Sequence, residues 1–131
     1  MSNSTVPKFT IVLSNSYGAG NYAMCGKAYD PRFILAWPTA KIAVMGGEQA
    51  AKTLLQLEKS KMGSISPAEE KELLKNIKEK YDSNTTALHA ASKLWVDEII
   101  DPLQTRNWIS MGIEAANHSP ISRFNVGVLQ T

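Results

Sequence analysis

Cysteine is nearly absent from this chain. The single Cys25 excludes an intramolecular disulfide framework and a cysteine-built zinc cage. Histidine is almost as scarce: His89 and His118 stand far apart, nothing has metal-ligand spacing, and no metal site is expected. A surplus of either charge is missing too. Fourteen basic against twelve acidic side chains leave +2, with no lysine or arginine block set apart from acids. That balance gives no electrostatic footprint for nucleic acid or an anionic membrane. No apolar stretch reaches the ~20 residues of a bilayer span, and the first ten residues carry no charged-then-apolar leader. A cytoplasmic globular domain is therefore expected. Its 131 residues, 44% of them hydrophobic, suffice for one real core, since chains of roughly 150 residues hide about two-thirds of their unfolded surface.

What is present reads as short strands alternating with helices, an α/β chain. Lys8 to Leu13 is aromatic, β-branched and nearly all apolar, which predicts a strand buried on both faces. A polar turn, Ser14 to Tyr17, leads into Gly18-Ala19-Gly20 and a short buried helix through Cys25, closed by Gly26. Phe33 to Ala36, stopped by Trp37-Pro38, and Ile42 to Met45 predict two more strands. Gly46-Gly47 then breaks the chain. Glu48 opens a helix, an acid in the first turn where the dipole favours it. Ala50, Ala51, Leu54, Leu55 and Leu57 form its apolar stripe.

From Glu58 the composition changes, with six lysines and five glutamates by Lys80. Ser66, Pro67 and Glu69 make a capping box with proline at the first helical position. Leu73, Leu74, Ile77 and Tyr81 then share one face. Residues 58–82 are expected to form a charged helical excursion within a single domain over 1–131. It reads as a solvated amphipathic helix, with a lysine-rich site for a phosphate-bearing ligand as the other reading. Thr86 to Trp95 predicts a further helix, Ile99-Ile100 a strand, and Asp101-Pro102 the start of a helix to about Asn117. The tail carries Phe124, Val126, Val128 and Leu129 and is expected to pack on something.

Side-chain catalysis finds little support in these residues. Cys25 and the histidines are distant in sequence, no Gly-x-Ser-x-Gly elbow is present, and Ser14 and Ser16 are poor candidates for a nucleophile. Cys25 reads as a packed small hydrophobe, the histidines as ordinary structural residues. Gly18-Ala19-Gly20-Asn21-Tyr22-Ala23 formally matches the dinucleotide pattern. Four polar residues separate it from the strand, however, and no acid follows about 20 residues on, where Trp37-Pro38 stands. A different use of the glycines fits better. Small residues at a strand-to-helix turn let a substrate carbonyl approach backbone N–H groups, with a helix dipole behind them. Such an oxyanion hole stabilises developing negative charge with no titrating side chain. Met45-Gly46-Gly47-Glu48 repeats the design. Glycine at either turn is also compatible with a purely steric role.

Several short motifs, in order, carry a family resemblance. Val6-Pro7-Lys8, Ser16 to Tyr22, Met24-Cys25-Gly26, Ala28-Tyr29, Pro31-Arg32-Phe33, Trp37-Pro38 and Val44 to Ala51 resemble the carboxyltransferase β subunit of biotin-dependent acyl-CoA carboxylases. Ala87 to Pro102 is similar to the same family, with Leu94-Trp95-Val96-Asp97 and Ile99-Ile100-Asp101-Pro102. Gly-Asn-Tyr, Met-Cys-Gly and Met-Gly-Gly-Glu-Gln-Ala-Ala bring it nearer the 3-methylcrotonyl-CoA members than the propionyl-CoA ones. Departures are Ala23, where many relatives have glycine, and the closing Leu129-Gln130-Thr131.

The resemblance implies a ClpP/crotonase-like fold, of which this chain would be the later part of the second half, a truncated C-terminal carboxyltransferase domain. It implies movement of CO2 from carboxybiotin to an acyl-CoA, with biotin carried on a partner protein. Gly18 and Ala19 match the positions whose N–H groups hold the biotin ureido oxygen, and Tyr17, Gly20, Gly46 and Gly47 would line the cofactor's place. Acyl-CoA, a biotin carboxylase and biotin carrier subunit, and further carboxyltransferase subunits in a homo-oligomer are the implied partners. The implied compartment is the cytoplasm, or the mitochondrial matrix in a eukaryote. The ureido anion left when CO2 departs can itself take the substrate α-proton, so the family needs neither histidine base nor metal here. Two other readings stand beside it. One is another crotonase-fold acyl-CoA enzyme, a hydratase, isomerase or biotin-dependent decarboxylase. A hydratase would require glutamates beside the hole, and Glu48 is the single acid at a glycine turn. The other is a non-catalytic assembly fragment.

Overall fold

The computed structural model describes residue 1, residues 4–62 and residues 67–118. In chain order it runs β1 (Phe9–Val12), β2 (Asn15–Tyr17), α1 (Gly18–Ala23), a 3-10 turn (Lys27–Tyr29), β3 (Phe33–Ala36) and β4 (Lys41–Ala43). Then follow α2 (Gly47–Met62), α3 (Pro67–Ser83), α4 (Ala87–Ser92), β5 (Glu98–Ile99), a second 3-10 turn (Pro102–Gln104) and α5 (Thr105–Asn117).

Two parallel sheets result. One has the order β1-β3-β5, the other joins β2 to β4. Parallel neighbours require crossovers, and helices provide most of them here. The core between these layers gathers Val12, Ile34, Ala36, Ala40 and Ile42 with Ala87 and Ala90 of α4 and Val96. β3 is the central strand and the most buried: Leu35 and Ala36 have no exposed surface. Hiding a leucine completely contributes about 1.5–3 kcal/mol.

Several expectations from the sequence need correction. β1 is half-buried at Phe9, Thr10 and Ile11 and fully buried at Val12 alone, so it is not sealed on both faces. Asn15 to Tyr17, expected as a polar turn, is a strand. Its backbone pairs with β4 from Asn15↔Lys41 to Tyr17↔Ala43, and main-chain bonding of this kind is indifferent to polar side chains. β4 ends at Ala43, leaving Val44 77% exposed. The first helix ends at Ala23 instead of Cys25. Its reversal is taken by Cys25 at φ 70° and not by Gly26, whose φ is −63°. Cys25 is nevertheless buried, and its carbonyl accepts a 2.8 Å bond from the Thr10 hydroxyl. α2 is longer than its apolar stripe suggested. The charged excursion of 58–82 thus corresponds to the end of α2 and nearly all of α3, two helices packed side by side. The capping serine, Ser66, and the tail from Ser119 lie outside the described residues.

The later elements follow their caps. The Thr86 hydroxyl accepts from His89 N–H at the start of α4, and the Asp101 carboxylate from Leu103 N–H. Proline then opens a 3-10 turn before α5, so the helix proper begins at Thr105. The expected strand at Ile99-Ile100 sits one residue earlier. Asp97 fastens β5 to β3 twice: its carboxylate accepts from Ile34 N–H at 2.7 Å, and its own N–H donates to the Ile34 carbonyl at 2.8 Å. Its other carboxylate oxygen pairs with Lys27 at 3.2 Å.

α5 reaches the sheet through a glycine. Phe9 and Phe33 stack at 4.5 Å, Trp108 meets Phe33 edge-on, and Gly112 is buried against both phenylalanines. A Cβ there would lie 2.6 Å from the Phe33 ring. Gly112→Ala, worth about 1 kcal/mol of extra helix propensity on an exposed surface, is therefore expected to destabilise by about 1–3 kcal/mol through overpacking. Urea denaturation measures this, and an unchanged or raised midpoint would contradict the packing argument.

α4 closes with a Schellman pair, Trp95 N–H to Ala90 O and Leu94 N–H to Ala91 O, both 2.9 Å. The residue in the left-handed position is Leu94, at φ 59° and 79% exposed. Glycine is the usual occupant. Leu94→Gly would relieve about 1–2 kcal/mol of strain against about 0.4–1 kcal/mol of extra unfolded-state entropy. A rise of up to about 1 kcal/mol is expected, read as a higher thermal midpoint.

Candidate functional site

The two glycine turns lie next to each other because β2 and β4 are parallel neighbours. Each strand ends at the same edge, one in Tyr17-Gly18 and the other in Val44-Met45-Gly46. The Tyr17 ring covers Gly46, where a Cβ would stand 3.6 Å from the ring. Gly18 sits over Val44. It has φ +52°, and a Cβ there would meet the Val44 carbonyl oxygen at 2.7 Å. Glycine is thus required at this position twice over, by backbone conformation and by close approach. Gly47 lies against the Asp82 carboxylate of α3, so a Cβ there would push that side chain aside.

Tyr17, Gly18, Gly46 and Gly47 are accordingly brought into one region. Ala19 and Gly20 continue α1 outward and are exposed, and nothing surrounds the place of a Cβ on Gly20. α1 has no side-chain cap. The first N–H groups of a helix have no acceptor within it, so at this turn they are donors without a capping side chain. Beside Gly18 opens a cleft of about 340 Å3, walled chiefly by Tyr22, Lys27, Ile42, Val44 and Trp95. A smaller one of about 190 Å3 shares Asn21, Gly26, Lys27, Ile42 and Trp95 with it.

Electrostatics around these turns are quiet. Glu48, in the first turn of α2, pairs with Lys52 at 3.0 Å. The hydrogen bond and charge of Lys52 hold the Glu48 carboxyl below its ordinary range. Tyr29 is pushed up, first by partial desolvation and then by its hydrogen bond to Tyr22. Both shifts move away from neutrality. Among the described residues no group of three or more histidine, cysteine or acidic side chains could hold a metal, and no helix is long and apolar enough to cross a membrane. What the arrangement offers chemically is backbone: uncapped N–H donors beside an apolar cleft.

Sequence reasoning missed Trp95, Tyr81 and Asp82. Trp95 reaches the cleft from beyond α4, where its ring also meets His89 edge-on. By spacing Tyr81 belongs to an apolar stripe, yet its hydroxyl accepts from Met45 N–H at 3.3 Å and donates to Met45 O at 2.9 Å. No local pattern connects positions so far apart in the chain.

Residues 1–126 match the family model of the carboxyl transferase domain. The chain belongs to that family. A relative from Mycobacterium tuberculosis, the biotin-dependent 3-methylcrotonyl-coenzyme A carboxylase beta1 subunit, is 40% identical over 129 residues, covering 95% of this chain and 24% of the relative. Among solved structures, the beta subunit of P. aeruginosa geranyl-CoA carboxylase superposes with a TM-score of 0.80 at 40% identity. The match covers 98% of this chain and 25% of that one. The transcarboxylase 12S hexamer, solved with methylmalonyl-coenzyme A and methylmalonic acid bound, superposes at 0.78 and 33% identity, over 98% of this chain and 23% of that one. The chain spans about a quarter of the length of these relatives. The α/β, crotonase-like fold expected from the sequence is the one this carboxyl transferase domain shares with them.

The glycines of this family member predict opposite responses at neighbouring positions. Gly18→Ala adds left-handed strain, about 1–2 kcal/mol, to overlap with the Val44 carbonyl, and is expected to cost more than about 2 kcal/mol. Gly20→Ala meets open space and gains up to about 1 kcal/mol of helix propensity. Equal unfolding midpoints for the two variants would contradict the geometry at Gly18.

Proposed function

We propose that this chain is the biotin-facing portion of a biotin-dependent acyl-CoA carboxyltransferase, the later part of the second crotonase-like half of a longer subunit. The observation that carries the reading is the pairing of β2 with β4. It sets an uncapped helix start at Gly18-Ala19 beside a second glycine turn, in a member of a carboxyl transferase family. The chain's own residues fit biotin on the same grounds. Its ring system is small and bicyclic with one carbonyl, and here a cleft of about 340 Å3 adjoins an uncapped helix start at a glycine that no side chain could replace.

Biotin, delivered on a carrier protein, supplies an activated carboxyl group and, once that has left, a basic ureido face. The residues here bind and orient. Gly18 and Ala19 would hold the ureido oxygen through their N–H groups and so would stabilise negative charge placed there. Fixed donors of this kind contribute without reorganising and without titrating. Tyr17, Gly20, Gly46 and Gly47 shape the surrounding backbone. Apolar Ile42, Val44 and Trp95 line the cleft beside the donors and offer an apolar surface to a bound ring. The acyl-CoA would come mainly from the part of the subunit outside this chain, across an interface between subunits. Homo-oligomeric assembly, a biotin carboxylase and biotin carrier partner, and action in the cytoplasm or mitochondrial matrix complete the proposal. Carboxylation of methylcrotonyl-CoA is the preferred reaction, given the motifs at Gly20 to Tyr22, Met24 to Gly26 and Met45 to Ala51.

The test uses the full-length parent subunit with methylcrotonyl-CoA, bicarbonate and an ATP-charged biotin carrier. Carboxylated acyl-CoA is expected; a fully assembled enzyme that transfers no carboxyl to methylcrotonyl-, propionyl- or geranyl-CoA would defeat the reading. Within it, Ala19→Val is expected to leave folding intact, since Ala19 is exposed. Crowding the donor should lower turnover toward the 10²–10³ that loss of one such donor costs, on the order of magnitude seen in other enzymes. Cys25→Ser and Ser16→Ala are expected to keep turnover per folded subunit. The pH profile should show no limb near 6–7 from a catalytic histidine. Loss of turnover in Cys25→Ser with full activity in Ala19→Val would point to covalent chemistry.

A further inference from the structure

α3 looks like a solvated, charged helix in sequence, and its outer face is. Its Tyr81 does something else. One hydroxyl holds both backbone groups of Met45, accepting from the N–H at 3.3 Å and donating to the carbonyl at 2.9 Å. Met45 is the last residue before Gly46. The adjacent Asp82 carboxylate packs on Gly47, where a Cβ would require that side chain to shift. The chain leaving α3 then returns to β4, where Ile42 N–H donates to Thr85 O at 2.8 Å and Lys41 bridges to Thr86. The β4 segment is therefore gripped at its beginning and just past its end by one stretch, residues 81–86.

That grip bears on the other turn. Val44, between Ala43 and the clamped Met45, places its carbonyl oxygen under Gly18. Gly46 faces the Tyr17 ring, and Tyr17 is the residue from which α1 starts. We propose that Tyr81 is a positioning residue of the biotin-facing site: its hydroxyl fixes the Met45 backbone, and through Val44 and Gly46 it sets where the Gly18-Ala19 donors stand. The proposal rests on the carboxyltransferase reading above. It assigns the helical excursion a task in the site.

Tyr81→Phe removes one oxygen and keeps the ring among Leu54, Leu73 and Ile77. Two readouts on the full-length subunit, assembled with its carrier partner, test the idea. Hydrogen exchange is expected to speed up by about tenfold at Met45–Gly47, the order of one hydrogen bond lost, and to stay unchanged in β1. In kinetics, kcat falls and KM for the biotin carrier rises, while KM for acyl-CoA holds. A merely structural role would lower the active fraction and leave both KM values where they were. Wild-type exchange and wild-type biotin KM in Tyr81→Phe would overturn the proposal while leaving the carboxyltransferase reading intact. A parent subunit with no carboxyl transfer at all overturns both. Should Tyr81→Phe fail to assemble, difluorotyrosine at position 81 keeps ring and hydroxyl while altering donor strength, and unaltered exchange and kinetics there overturn the proposal equally.

Discussion

Three residue pairs, Asn15↔Lys41 to Tyr17↔Ala43, hold the rest of the site in place. Without this short parallel ladder, the two glycine turns would be separate loops, and neither Tyr17 on Gly46 nor Val44 under Gly18 would exist. A ladder so short is weak by itself. The structure braces it from outside: Thr39 Oγ1 donates to Leu13 O, Lys41 N–H to Ser14 O, and Ile42 N–H to Thr85 O. These bonds come from loops, so the ladder depends on how the neighbouring segments pack. Thr85 is the buried polar residue among them, and its hydroxyl is in turn satisfied by Asp82 O.

The division of labour between side chain and backbone is unusual in where it puts the constraint. Sites built on an acid or base need a tuned pKa. In the proposed site the tuning is steric. Gly18 is fixed as glycine by its left-handed φ and by a backbone carbonyl oxygen 2.7 Å from the place of a Cβ, while Gly46 faces an aromatic ring and Gly47 a carboxylate. In that proposed site a backbone donor cannot be mutated away but can be misplaced, so the surroundings would carry the specificity that a catalytic side chain carries elsewhere. The left-handed Cys25 and Leu94 fit this picture, since each ends a helix that delivers wall residues to the cleft: Tyr22 from α1, and Trp95 just past α4.

The membership of the chain in the carboxyl transferase domain family gives the geometry a context, and the geometry in turn gives the family motifs a cause. Met45-Gly46-Gly47-Glu48 runs between the Tyr17 ring, which faces Gly46, and the Asp82 carboxylate, which lies on Gly47. Leu94-Trp95-Val96-Asp97 ends one helix, walls a cleft, fills the core and fastens β5 to β3 within four residues. The charged helices that interrupt this pattern are tied back into it by a single tyrosine and the residues just after it.

Local chemistry was readable wherever one segment decides its own structure. Apolar runs located β1, β3 and β4, the acid after Gly47 marked the start of α2, and Asp101 and Pro102 marked a cap that the structure contains. The same local signals placed glycine turns at the ends of strands, and the order of motifs placed the family. Three things were decided only by tertiary structure. Asn15 to Tyr17 is a strand because β4 lies beside it, which no property of three polar or aromatic residues could announce. The reversal after α1 falls on Cys25 because Thr10 of β1 bonds its carbonyl and draws it under the sheet. Tyr81 grips Met45 because two helices return the chain to the strand it left. Strand partners, close approach and long-range hydrogen bonds are relations between distant segments, and a sequence specifies them only through the packing of the whole.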